Sequence, residues 1–232
     1  MTRYLRLPLS FDLDLLKQDL AKIRKDEWID HVNTAVYEGE WRAVPLRSVG
    51  GGSGSILSVD GADYLDTEIL QRCSYFREVI DSFRCEKTSV RLMAMAPGSR
   101  ILPHRDRGTS LEDGMARIHL PLVTSHEVLF AIDNEKVHFS AGNAWYLNAQ
   151  CLHGVSNDGE NPRVHLMLDC IVNPWLEKVF LESGFCHAPK PKYGDRSIND
   201  GNVDDVIAAL LQWGSEEGRS MAARLAALRD GS

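Results

Sequence analysis

Between residues 89 and 171 the chain runs through a succession of short apolar or alternating segments, SVRLMAMA, ARIHLPL, EVLFAI, KVHFS, NAWYLN, HGVSN and RVHLMLDCIV, separated by turn residues. Strand-like runs recurring about every ten residues predict roughly seven strands closing into a sandwich or barrel. The flanks differ. Residues 11–25 place Leu13, Leu16, Leu20 and Ile23 at steps of three and four, the spacing of an amphipathic helix. Residues 66–83 predict a second helix, with Asp66 as N-cap and Ile69, Cys73, Phe76 and Ile80 along one face. The stretch HVNTAVYEGEWRAVPLRSVGGGSGS has no helical period and reads as short strands ending in a mobile loop. Its glycines are not followed by the Gly-Lys-Ser/Thr of a phosphate cradle. After the strands, NPWLEKVFLESGF, VDDVIAALLQW and EEGRSMAARLAALRD return to helical spacing, and CHAPKPKYGDRSINDGN between them reads as a surface loop or lid. The expected organisation is a single, mainly β domain with flanking helices: N-terminal helices and short strands over 1–88, a β core over 89–172, and C-terminal helices over 173–232.

Bulk properties restrict the function classes. The chain has 232 residues, an apolar fraction of 44% and a charged fraction of 25%, within the range of ordinary globular proteins. A net charge of −7 without a Lys/Arg block argues against a nucleic-acid surface. No run approaches the roughly 18 apolar residues of a membrane span, and the first residues turn acidic too early for a signal peptide, so a cytoplasmic location and no membrane partner are expected. The five cysteines are scattered and form no Cys-X-X-Cys, which predicts free thiols.

The chemistry concentrates around PHRDRGTS. In an extended stretch residues i and i+2 point to one side, so His104 and Asp106 can aim an imidazole and a carboxylate at one point while Arg105 points away. Several strands later His153 can return alongside them. Two histidines and one carboxylate on one side of a metal leave the opposite positions open, the facial arrangement of non-haem Fe(II) oxygenases, although Zn, Mn, Co and Ni accept the same atoms. Ten residues after His153, Arg163 opens the last strand. There it can hold the far carboxylate of a dicarboxylate by a two-pronged ion pair, or serve as a structural salt bridge.

APGSRILPHRDRG, RIHLPL and HGVSNDGENPRVHLMLD resemble the aspartyl/asparaginyl β-hydroxylase family of 2-oxoglutarate-dependent oxygenases, in particular its bacterial L-proline cis-hydroxylases. The likeness extends to WIDHVNTAVYEGEWRAVPLRS and spans most of residues 10–172. It implies a double-stranded β-helix, the cupin-like jelly-roll barrel. It also implies His104, Asp106 and His153 as catalytic iron ligands, Arg163 on the distal carboxylate of 2-oxoglutarate, and O2 as co-reactant. Arg117 and His119 share a strand face. By the resemblance they contact ligand carboxylates, His119 that of the cosubstrate and Arg117 that of cosubstrate or substrate. Arg91 is a further candidate for a substrate carboxylate, and Trp145 for a pocket wall or a core aromatic. His165 and Asp169 follow Arg163 on its face, placed either to orient it or to serve as satisfied structural polar groups, whereas His31, His126, His138 and His187 are expected at the surface or in ordinary hydrogen bonds. Family members acting on protein aspartyl residues carry a serine where this chain has Met93, which counts against a protein substrate. Related halogenases lack a carboxylate at the position of Asp106, so its presence favours hydroxylation. The expected activity is hydroxylation of a small free amino acid, proline-like, giving succinate and CO2. The alternatives are a protein or peptide aspartyl/asparaginyl hydroxylase and a non-catalytic metal-binding sensor.

Overall fold

The computed structural model describes residues 1–187, 191–195 and 197–231. They fall into two compact units, Thr2–His187 in one and Met1 with the described residues from 191 onward in the other. The helices expected from 173 onward are divided between these units. Of the expected lid, residues 188–190 and 196 lie outside the described residues.

The first unit runs β1 (Tyr4–Ser10), α1 (Leu13–Leu20), β2 (Ile29–Asp30), β3 (Tyr37–Glu38), β4 (Trp41–Val49), β5 (Tyr64–Asp66), α2 (Glu68–Gln71) and α3 (Ser74–Ser82). It continues through β6 (Lys87–Met95), β7 (Arg100–His104), β8 (Met115–Val123), β9 (Val128–Ile132), β10 (Glu135–Val137), β11 (Asn143–Leu147), β12 (His153–Asn157), β13 (Arg163–Ile171) and α4 (Pro174–Glu182). One sheet has the order β1-β11-β8-β13-β6-β4-β2, with β5 on β4, and the other β10-β9-β12-β7-β3. Strands β6 to β13 thus divide four and four between the two sheets, and the pairs within them are antiparallel. This is the double-stranded β-helix, or jelly roll.

The larger sheet buries both faces, and the period of two decides what each face receives. On β6, β8 and β13, Val90, Leu92, Ile118, Leu120, Leu166 and Leu168 join a core with Leu16 of α1, Phe76 of α3 and Phe180 of α4. The alternate residues Arg91, Met93, Arg117, His119, Arg163, Met167 and Asp169 line a cavity inside the barrel. Burying aliphatic side chains of this size stabilises by about 1.5–3 kcal/mol each, so this one ladder supplies much of the core.

Three local expectations change. The chain opens on a strand rather than a helix: β1 pairs with β11, Arg6 opposite Trp145, because YLRLPLS alternates and Leu7 is buried. The helix expected over 66–83 breaks at Arg72–Cys73, where Cys73 leaves helical geometry (φ −113°, ψ 77°). Nor does Asp66 cap a helix. It ends β5, accepting hydrogen bonds from Arg47 and Arg77, both at 2.8 Å. The start of α3 is capped from α1, where the buried Asp19 carboxylate accepts the Phe76 N–H at 2.8 Å.

The second unit contains α5 (Val203–Trp213) and α6 (Glu216–Arg229) around a small core of Tyr193, Val203 and Leu225. Gly214 ends α5 in the left-handed region, and Ser215 caps α6 by accepting the Gly218 N–H at 2.9 Å. No helix among the described residues is long and apolar enough to cross a membrane.

Candidate active site

A cavity of about 1000 Å³ opens between the two sheets of the first unit. At its centre, the end of β7 meets the start of β12. His104 and His153 sit directly opposite each other in this antiparallel pair, with ring centroids 4.4 Å apart. The strands approach this closely because Gly154 follows His153: a Cβ there would lie 2.8 Å from the Ile101 carbonyl oxygen. Each ring is fixed by its Nδ1, which lies 2.8 Å from the Leu102 oxygen in His104 and 3.0 Å from the Cys151 oxygen in His153. A carbonyl only accepts, so Nδ1 carries the proton and Nε2 keeps its lone pair for a ligand. Burial pulls the His153 pKa down against the Cys151 hydrogen bond, which favours the neutral, metal-competent ring.

Asp106 lies just beyond β7, and its backbone N–H donates to Ala149 at 2.8 Å. Its Oδ1 is 3.7 Å from His104 Nε2, and ligand atoms from His104, Asp106 and His153 all lie within 4.8 Å of one another. The local two-residue spacing and the distant histidine therefore converge.

Arg117 and Arg91 meet carboxylates of the protein itself. Arg117 grips Asp169 through Nε at 2.8 Å and Nη2 at 3.2 Å, and its Nη1 donates to Oδ2 of Asp106. Arg91 donates to the same Asp169 at 3.0 Å and to the Ile56 carbonyl at 3.0 Å, while its Nε finds no partner. Burial would push the Asp169 carboxyl up, but the Arg117 and Arg91 charges outweigh it and hold it below the usual carboxylate range. Asp169 therefore orients Arg117 and Arg91. Of its two expected roles, Asp169 takes that of a satisfied polar group rather than a partner of Arg163, which stands at the other end of β13.

Arg163 is in the opposite condition. It is 2% exposed and has no carboxylate partner among the described residues. Its Nη2 donates to His165 Nδ1 at 2.9 Å, its Nε is unpartnered, and its guanidinium lies 5.3 Å from the Phe130 ring centre. Burial pulls its pKa down to about 9, so it remains charged at neutral pH. Beside it, neither ring nitrogen of His119 has a partner, nor does His165 Nε2. Burial first, and Arg163 next, push both imidazoles well below their ordinary pKa, so both are neutral. Buried polar groups without partners are rare in folded proteins, and here they cluster around one unpaired cation.

Trp145 takes the core alternative rather than the cavity wall. It is absent from the cavity lining and stacks on Phe139 at 4.8 Å, with Phe139 stacked in turn on Phe130 at 4.2 Å. His31, expected in an ordinary surface role, lines the cavity instead, stacked on Trp41 at 3.6 Å, and burial holds its pKa down to about 4. It lies in WIDHVNTAVYEGEWRAVPLRS, but no residue spacing there singles it out, since the contact to Trp41 depends on β2 pairing with β4. The residues after the glycine-rich turn, 56–62, also line the cavity, and Val32, Leu57 and Val59 form an exposed apolar rim.

The aspartyl/asparaginyl β-hydroxylase family model matches residues 11–173. An L-proline cis-4-hydroxylase of Rhizobium meliloti (strain 1021) is 26% identical over 209 residues, covering 88% of this chain and 72% of that protein. An L-proline cis-3-hydroxylase of a Streptomyces species is 25% identical over 167 residues, covering 69% of this chain and 57% of that protein. Among solved structures, a Pseudomonas putida prolyl-4-hydroxylase superposes with a TM-score of 0.47 at 14% identity, covering 74% of this chain and 94% of that one. The matched stretch contains the jelly roll together with His104, Asp106, His153 and Arg163, and on that match the chain belongs to the aspartyl/asparaginyl β-hydroxylase family.

Proposed function

We propose that the protein is an Fe(II)- and 2-oxoglutarate-dependent hydroxylase of a small amino acid, with L-proline the first substrate to test. One observation carries this reading. A metal-competent His–Asp–His cluster shares its cavity with a buried guanidinium that has no carboxylate of its own. The donor set suits Fe(II), with two neutral imidazoles and one carboxylate on one side. The unpartnered N–H groups around Arg163 suit a dianion. The two relatives named as proline hydroxylases support an amino-acid substrate.

His104 and His153 hold the iron through Nε2, their Nδ1 hydrogen bonds to Leu102 and Cys151 setting tautomer and orientation. Asp106 supplies the carboxylate. Arg163 takes the distal carboxylate of 2-oxoglutarate, and neutral His119 offers one N–H beside it. Phe130, Leu147 and Val155 wall this part of the cavity and keep water away from the ion pair. Arg91 and Arg117 keep N–H groups beyond those given to Asp169, and these receive the substrate carboxylate. When bound, iron with 2-oxoglutarate and O2 supplies the oxidation that yields succinate, CO2 and a hydroxylated C–H bond.

The deciding experiment is succinate formation with Fe(II), 2-oxoglutarate and O2, screened across the free proteinogenic amino acids, with His153→Ala as control. Stimulation by L-proline or another amino acid, lost in the variant, is expected. Unstimulated protein that still binds iron and 2-oxoglutarate would overturn the small-amino-acid part. Absence of metal binding would overturn the whole reading.

A further inference from the structure

Asp169 touches neither the proposed iron nor the proposed cosubstrate, yet it is the most heavily bonded carboxylate around the cavity. It is 2% exposed. Its Oδ1 accepts Arg117 Nε, and its Oδ2 accepts both Arg117 Nη2 and Arg91 Nη2. The register explains this: Asp169 of β13 lies directly opposite Arg117 of β8, and Met167, two residues earlier, lies opposite Arg91 of β6. The central strand therefore presents one carboxylate to an arginine from each neighbour. Arg117 continues the chain by donating from Nη1 to Asp106 Oδ2, while Asp106 Oδ1 is 3.7 Å from His104 Nε2.

The charges make the arrangement specific. Arg91, Arg117, Asp106 and Asp169 sum to zero, and among the described residues no other carboxylate contacts either arginine. Without the Asp169 charge, the buried Arg91 would have no carboxylate contact and the mostly buried Arg117 would have Asp106 alone. The group meant for the metal would then carry the whole demand of Arg117.

We propose that Asp169 is a positioning residue of the metal centre. It holds Arg117 so that one N–H meets Oδ2 of Asp106 while Oδ1 stays turned toward His104. Its charge also keeps Arg117 from competing with the metal for Asp106. The inference rests on the reading that His104, Asp106 and His153 bind a metal, and its test needs no substrate.

The test is titration of the full chain with Co(II) alone, followed by visible absorption, for wild type, Asp169→Asn, Asp169→Glu and Arg117→Lys. Co(II) affinity should fall at least tenfold in Asp169→Asn with an altered band shape, and Asp169→Glu should lose less because it keeps the charge. A merely structural role would lower the melting temperature and leave affinity and band shape alone. Folded Asp169→Asn within twofold of wild type would overturn the proposal. If circular dichroism shows that this variant does not fold, Arg117→Lys decides, because it keeps the charge but lacks the planar fork that grips Asp169 through two nitrogens while a third meets Asp106. It should show the same loss, and wild-type affinity there would overturn the proposal. Wild type that fails to bind Co(II) would instead remove the metal reading, and the proposal with it.

Discussion

Two arginines inside one barrel sit in opposite electrostatic states. Arg117 has a carboxylate at each end, Asp169 and Asp106, whereas Arg163 has a histidine, an aromatic face and no carboxylate. Arg163 is sealed from water and Arg117 mostly so, with 16% of its side chain exposed, and desolvation acts on both. Only Arg117 is compensated from within the fold, and its pKa is raised where that of Arg163 is pulled down. A buried charge that the protein neutralises is fixed by the architecture and can offer a ligand only the N–H groups left over. A buried charge that it leaves unpaired points to a ligand that arrives with the opposite charge.

Substitutions can break this contrast. Arg117→Leu leaves Asp169 and Asp106 short of a partner and should cost about 3–5 kcal/mol, the usual penalty for removing one side of a buried pair, read by urea denaturation. Arg163→Leu should do the reverse. Its melting temperature should be equal or higher, because an uncompensated charge is gone. Its 2-oxoglutarate affinity should drop by about 2–5 kcal/mol, roughly 30- to 4000-fold, measured by calorimetry with a redox-inert metal. Equal stability losses in the two variants would erase the distinction. Ile118→Val, on the opposite face of β8 from Arg117, should cost about 0.5–1.5 kcal/mol and leave 2-oxoglutarate binding unchanged, separating the core face from the cavity face.

A further effect concerns pH. His31 has a folded pKa held down to about 4, so as pH falls from its ordinary value near 6.5 the unfolded chain takes up a proton that the folded chain refuses. Stability from this group is therefore present at neutral pH and lost as pH falls through that window. His31→Gln should flatten the fall in Tm between about pH 6.5 and 4, seen in melts taken at several pH values.

Much of this was readable in the chain. Alternation predicted the strands from SVRLMAMA to RVHLMLDCIV and placed Arg117 with His119, and Arg163 with His165, on shared faces. The His-X-Asp spacing and the later His153 marked the metal-competent cluster. Partnership was what remained hidden. Periodicity says which face a side chain takes but not which strand lies alongside, so the grip of Asp169 on Arg117, 52 residues away, needed the register. The same holds for the stacking of His31 on Trp41. Trp145 was left between two readings for a related reason: an inward-pointing aromatic can line a void or fill it, and the register brings Phe139 against it. The break at Cys73 was invisible because its apolar spacing continues through it.

Strand β13 carries a consequence for how this protein is assayed. Leu166 and Leu168 feed the helix-covered core, while Arg163, His165 and Asp169 serve the cavity, and one ladder sets both. A slip of one residue would exchange the two sets, putting leucines where anions are meant to bind and charges under the helices. No molecule can be correctly packed on one side of this strand and misassembled on the other. If the cavity takes one ligand per chain as proposed, its titration also counts native molecules, because chains with β13 out of register would offer no guanidinium to bind it.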